Sequence, residues 1–134
     1  MISYSPLLCL DFYKTAHAEQ YPATLTKMVS YYTPRMTRLA DTEKVTMFGL
    51  QAFIQEYLIE AFNTHFFDRS LDEVLAEYKR VLNNTIGTDG VGVERLAALH
   101  KLGYLPLEIR AVPEGTRTTV SYTHLRAHET CADL

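Results

Sequence analysis

The sequence predicts an α+β fold in which helices accompany a small sheet. Three observations carry this reading. The middle of the chain holds three stretches with apolar residues at helical spacing, shorter β-branched or alternating stretches flank them, and Pro or Gly stands at most junctions between them.

Taken in order, Leu7, Leu8, Leu10, Phe12 and Tyr13 form a mixed apolar opening, with Asp11 placed to N-cap a short helix that stops at Gln20-Tyr21-Pro22. Lys27 to Tyr32 is β-branched and aromatic, which predicts a strand. Thr33-Pro34-Arg35 ends it, because Pro34 has no N–H to give to a ladder. A short extended run over Val45 to Phe48 leads into Gly49 to Phe62, where Leu50, Phe53, Ile54, Tyr57, Leu58, Ala61 and Phe62 predict an amphipathic helix. Ser70 with Glu73 three residues on is a capping-box signature. Leu71, Val74, Leu75, Tyr78, Val81 and Leu82 give the stripe of a second helix.

After Gly87, Asp89-Gly90 and Gly92, the run Val93 to Leu102 predicts a third helix with Gly103 as its C-cap. Leu105, Leu107, Ile109 and Ala111 alternate with Pro106, Glu108 and Arg110, which predicts a strand with one face buried. Pro113-Glu114-Gly115 then turns the chain. The order is helix, strand, strand, helix, helix, helix, strand.

With 134 residues the chain has room for one modest core, and 47% hydrophobic with 22% charged residues is ordinary for a globular protein. A net charge of -3 with no Lys/Arg cluster argues against nucleic acid as a partner. No apolar run approaches the roughly 20 residues of a membrane span, and Met1 to Leu10 lacks the basic start of a secretory signal. A cytoplasmic location is expected. Cys9 and Cys131 show no metal or disulfide spacing, and Cys9 is expected as a small buried apolar residue. His17, His65 and His100 have no partner close in sequence, so surface or helix-face roles are expected.

The run from Val120 to Thr130, Val-Ser-Tyr-Thr-His-Leu-Arg-Ala-His-Glu-Thr, resembles one reading frame of a transposon adapter used in sequencing libraries. The expected division is therefore 1–119 as the protein and 120–134 as a non-native tail. His124 and His128, four apart beside Glu129, would otherwise suggest a helical metal pair, a weak signal that the adapter reading removes.

Residues 6 to 22, with Asp11-Phe12-Tyr13-Lys14 and Gln20-Tyr21-Pro22, resemble the opening of the nicotinamide phosphoribosyltransferases. Ser30-Tyr31-Tyr32-Thr33-Pro34-Arg35, Phe48-Gly49-Leu50-Gln51, Leu105-Pro106-Leu107-Glu108-Ile109 and Pro113-Glu114-Gly115 agree with that family in the same order. The resemblance spans nearly all of residues 6 to 116. It implies the N-terminal part of a type II phosphoribosyltransferase whose full chain adds an α/β barrel. It also implies an activity, in which nicotinamide and phosphoribosyl pyrophosphate give nicotinamide mononucleotide and pyrophosphate in NAD salvage. Mg²⁺ accompanies the phosphates, and a homodimer shares its active sites across the interface.

By the same resemblance Tyr13 matches the aromatic that stacks on nicotinamide, where its alternative as a core aromatic stays open. Asp11 matches the acid near the carboxamide. A carboxylate there accepts from the amide NH₂ and repels the carboxylate of nicotinate, and a plain N-cap role is compatible. Arg35 matches the arginine on substrate phosphate, a role for a planar permanent cation, where a lone arginine would otherwise be read as surface. Lys14 is either a solvated helix residue or a distant electrostatic contributor. No catalytic residue is assigned within the chain, which is expected to be inactive alone. The competing expectations are a nicotinate-using sister enzyme and a small non-catalytic α+β interaction module.

Overall fold

The computed structural model describes residues 5–88, 90–120 and 125–130, the last of these by backbone only. The chain forms two compact units. One gathers the residues before Leu25 with Phe53–Leu105, and the other Leu25–Ala52 with the described residues from Pro106 on. The helical and strand stretches of the sequence thus segregate, as an α+β fold requires.

The helical unit opens with a 3-10 turn at Pro6–Leu8 and a 3-10 helix at Phe12–Gln20. Two helices follow as predicted. Helix α2 spans Leu71–Ile86, and its N-cap Ser70 accepts from the Glu73 N–H at 3.4 Å. Gly87 ends it at φ 73, the left-handed conformation that glycine enters without steric cost. Val74, Tyr78 and Leu82, one turn apart, are its buried stripe. Helix α3 spans Val93–Leu102, and the Gly103 N–H donates to the carbonyls of Leu99 and His100 at 3.2 and 3.1 Å.

Between the opening and α2 the chain departs from the α periodicity expected of it. Leu50–Ala52, helix α1 at the end of the sheet unit's first segment, is a single short α-helical turn. Phe53–Ala61 and Asn63–Phe67 are wide π-helical stretches, whose hydrogen bonds run from i to i+5. Side chains five apart therefore meet. Tyr57 and Phe62 lie edge to face at 6.0 Å, Phe62 and Phe67 are 6.4 Å apart, and the Gln55 amide Nε2 donates to Glu60 Oε1 at 3.4 Å.

Leu7, Phe66, Val74, Tyr78 and Leu82 form the core of this unit, with Phe12, Phe62, Phe67, Val93, Leu96 and Leu99 packed around it. His100 presents its ring edge-on to Phe66 at 5.2 Å and shares a 2.9 Å hydrogen bond with the Arg69 carbonyl. The phenol of Tyr78 donates to the Val91 carbonyl at 3.2 Å, and burial pushes its pKa above the usual 10.0. Cys9 corrects the sequence expectation. It is exposed, because it closes the Pro6–Leu8 turn while Leu7 takes the core position, and its thiol donates to the Ser5 carbonyl at 3.3 Å.

In the sheet unit, β1 is Lys27–Tyr32, β2 Lys44–Thr46, β3 Leu107–Ala111, β4 Arg117–Thr119 and β5 Leu125–Thr130. Strands β1, β5 and β3 make an antiparallel sheet with β5 in the middle, and β2 pairs with β4. The predicted strands are present at β1, β2 and β3. Strands β4 and β5 are additional, and β5 lies within the run set apart at 120–134. Its pairing runs through backbone N–H and C=O groups, which make no demand on side-chain identity. His128 stands in this strand opposite Val29 rather than on a helix, while His124 and Cys131 lie outside the described residues.

The turn at Pro113-Glu114-Gly115 is tied down from both sides. The Gly115 N–H donates to the Met47 carbonyl at 2.8 Å, and the Glu114 carboxylate accepts from the Gln51 N–H at 2.8 Å. The expected half-buried face of β3 is not found. Leu107 and Ala111 are exposed and Ile109 only half-buried, because none of the described side chains of this unit closes over them.

Candidate substrate-binding residues

The 3-10 helix explains how Asp11 and Tyr13 are presented. With three residues per turn, side chains three apart share a face, and the face formed by Phe12, Thr15 and Ala18 turns inward. Phe12 packs against the core, Thr15 Oγ1 donates to the Phe12 carbonyl at 2.6 Å, and the Ala18 carbonyl accepts from Arg95 Nη2 at 3.4 Å. One position further on, Tyr13 points to solvent with 64% of its surface exposed. It is not a core aromatic. Its ring meets the edge of His17 at 5.2 Å, and the Lys14 ammonium stands 6.0 Å from its centroid.

Asp11 occupies the N-cap position of that helix, yet its carboxylate makes no capping hydrogen bond. Its backbone carbonyl accepts from the Lys14 N–H at 2.9 Å instead. Sequence reasoning placed the residue correctly and its side-chain bond wrongly, and the exposed carboxylate is left to other donors. Asp11 and Tyr13 are thus brought to the same end of one helix.

Arg35 follows β1 in the sheet unit, on the segment that Pro34 forces out of the ladder, and its side chain is exposed. It belongs to a different unit from Asp11 and Tyr13. Among the described residues no three His, Cys, Asp or Glu side chains converge as a metal site.

A groove of about 800 Å³ on the helical unit escaped the sequence reading. Gln55, Glu56, Glu60, Ala61, Asn63, Thr64 and His65 line it, all from the π-helical stretches. The signal that pointed to it was the spacing of five in Tyr57, Phe62 and Phe67. That spacing resembles an α stripe over one turn and departs from it over two.

The model of the nicotinamide phosphoribosyltransferase N-terminal domain matches residues 5–93. The chain belongs to the nicotinamide phosphoribosyltransferase family. A nicotinamide phosphoribosyltransferase of Acinetobacter baylyi is 42% identical over 135 aligned residues, covering 97% of this chain and 27% of that relative. The chain therefore spans about a quarter of the length of the curated relative it matches. Asp11, Tyr13 and Arg35 all fall inside the segment that the nicotinamide phosphoribosyltransferase domain matches.

Proposed function

We propose that this chain is the N-terminal part of an enzyme that joins nicotinamide to phosphoribosyl pyrophosphate, forming nicotinamide mononucleotide and pyrophosphate in NAD salvage. The observation that carries the reading is the family match over residues 5–93. The exposure of Asp11, Tyr13 and Arg35 is consistent with it, since side chains that bind substrate must be reachable.

Breaking the bond between ribose C1 and pyrophosphate builds positive charge on the sugar and negative charge on the leaving group. Tyr13 offers a flat face for the nicotinamide ring. Asp11 accepts from the carboxamide NH₂ and disfavours the acid vitamer. Arg35 offers a permanent, forked cation to substrate phosphate. Mg²⁺ would reduce the charge repulsion among the phosphates. Among the described residues no three carboxylate, imidazole or thiol side chains converge, and no residue of this chain is assigned to hold the ion. The catalytic groups also belong to sequence beyond this chain, and the active enzyme is a cytoplasmic homodimer in this reading.

The test is direct. The full-length protein expressed from the natural locus forms nicotinamide mononucleotide when given both substrates and Mg²⁺, and the 134-residue chain forms none. Arg35→Ala in the full-length enzyme raises the KM for phosphoribosyl pyrophosphate about tenfold, the loss of one charge-assisted contact. Absence of product from the full-length protein ends the assignment.

A further inference from the structure

The helix that presents Asp11 and Tyr13 is a weak support when taken alone. It runs nine residues as a 3-10 helix, a form seldom sustained beyond three or four because its hydrogen bonds are poorly aligned. None of its residues is fully buried, and its Asp11 N-cap adds no side-chain bond. Where Tyr13 stands therefore depends on what the helix rests against.

Its first turn rests on the core through Phe12. Its later half rests on α3. Arg95 Nη2 donates to the Ala18 carbonyl at 3.4 Å, a contact between residues 77 apart in sequence. A Cβ built on Gly92, the N-cap of α3, would stand 3.8 Å from the Thr15 carbonyl oxygen, so the start of α3 passes close beside the middle of the helix. His17 lies in this held half, next to Ala18, and is half-buried.

Tyr13 is 64% exposed and takes no part in the core. Its described ring neighbours are the Lys14 ammonium, 6.0 Å from its centroid, and the His17 ring, at 5.2 Å with an interplanar angle of 60°. Lys14 sits on a flexible four-carbon stem that a ligand can push aside. The imidazole is a rigid plane, and an edge contact between rings favours one tilt over others. An exposed side chain that must be ordered when a ligand arrives lowers affinity, and one already ordered does not.

We propose that His17 is a positioning residue for base binding: its ring, held from α3 through Ala18, fixes the Tyr13 ring in the orientation that stacks on a planar heterocycle. The proposal rests on Tyr13 being the base-stacking residue of the transferase.

A double-mutant cycle in the full-length enzyme tests it, with each substrate varied in turn and a thermal melt of every variant. His17→Ala is expected to raise the KM for nicotinamide about threefold, the worth of an aromatic edge contact, with kcat, the KM for phosphoribosyl pyrophosphate and Tm unchanged. His17→Phe, which keeps a ring edge at this place, should restore the parent KM. In a Tyr13→Ala background His17→Ala should have no further effect, because nothing is left for it to orient. A threefold effect that persists in that background overturns the proposal, since His17 then acts independently of Tyr13. A rise in both KM values, or a fall of many degrees in Tm, also overturns it and marks His17 as structural. If Tyr13→Ala raises the KM for nicotinamide and His17→Ala does not, the proposal alone fails. If Tyr13→Ala leaves that KM unchanged, the base-stacking reading fails and takes the proposal with it.

Discussion

Replacing Tyr13 by alanine separates a residue kept for stability from one kept for a ligand. The ring lies outside the core cluster, is 64% exposed, and touches only the His17 edge and the outer reach of the Lys14 ammonium among its described ring contacts. Its removal from the 134-residue chain should cost less than about 0.5 kcal/mol, as surface substitutions do. Loss of a stacked aromatic partner for a heterocycle costs about 1 kcal/mol of binding, which is about fivefold in affinity. The assay is steady-state kinetics of the full-length enzyme with nicotinamide varied at saturating phosphoribosyl pyrophosphate, beside a thermal melt of the short chain. Tyr13→Ala should raise the KM for nicotinamide about fivefold and leave Tm within two degrees or so. Tyr13→Phe, which keeps the ring and drops the hydroxyl, should stay close to the parent in both. A KM for nicotinamide unchanged in the alanine variant refutes the stacking role. A fall of many degrees in Tm shows instead that the exposed ring is structural.

Three further outcomes are expected. Asp11→Asn in the full-length enzyme should lower the preference for nicotinamide over nicotinate about tenfold in competition assays, because the carboxylate's repulsion of the acid is gone; an unchanged preference removes the selector role. Phe66→Ala should destabilise the chain by about 3–5 kcal/mol in urea unfolding, since Phe66 is fully buried and its removal leaves a cavity among Leu7, Val74 and Leu82. Tyr78→Phe should cost about 1 kcal/mol at neutral pH through the lost bond to the Val91 carbonyl. It should also change the alkaline limb. Burial raises the phenol's pKa in the folded state above the 10.0 of the open chain, so its contribution is present below about pH 10 and is lost as pH rises through the folded value. The phenylalanine variant, with nothing to ionise, should show a shallower fall in Tm from pH 9 to 11, and parallel curves would contradict the burial argument.

Where structure follows from neighbours in sequence, it was legible. Helices α2 and α3 are announced by Ser70, Glu73 and Gly103 and by stripes at α spacing, all local signals. The π-helical stretches were not distinguished, because Phe53 with Tyr57 fits an α turn and only the further steps to Phe62 and Phe67 reveal a period of five. The outward turn of Tyr13 depends on a 3-10 helix, whose period of three differs from the α period by less than one residue per turn. Strand β4 carries only Arg117, Thr118 and Thr119, and its pairing partner lies far upstream in β2, so no local pattern identifies it. The buried face expected of β3 follows from its alternation, but alternation names the face without supplying what covers it. The roles proposed for Asp11 and Arg35 rest on family resemblance, since a lone acid and a lone arginine carry no chemistry by spacing alone.

The pinned turn at Glu114 has a bearing on how the molecule assembles. The Gln51 N–H and the Glu114 carboxylate are 63 residues apart in sequence, and between them lies the helical segment Phe53–Leu105. Closing a flexible loop of that length costs about 4 kcal/mol in chain entropy before any contact offsets it. Helices α2 and α3, with their own caps and nearby contacts, need no such closure and should form early. On the ribosome the first strands would then wait, unpaired, while the helical segment emerges and folds. Each nascent chain passes through an interval in which β1 and β2 offer open edges to any neighbouring strand. Slow synthesis or crowded expression should therefore increase misassembly through β1 and β2 rather than through the helices.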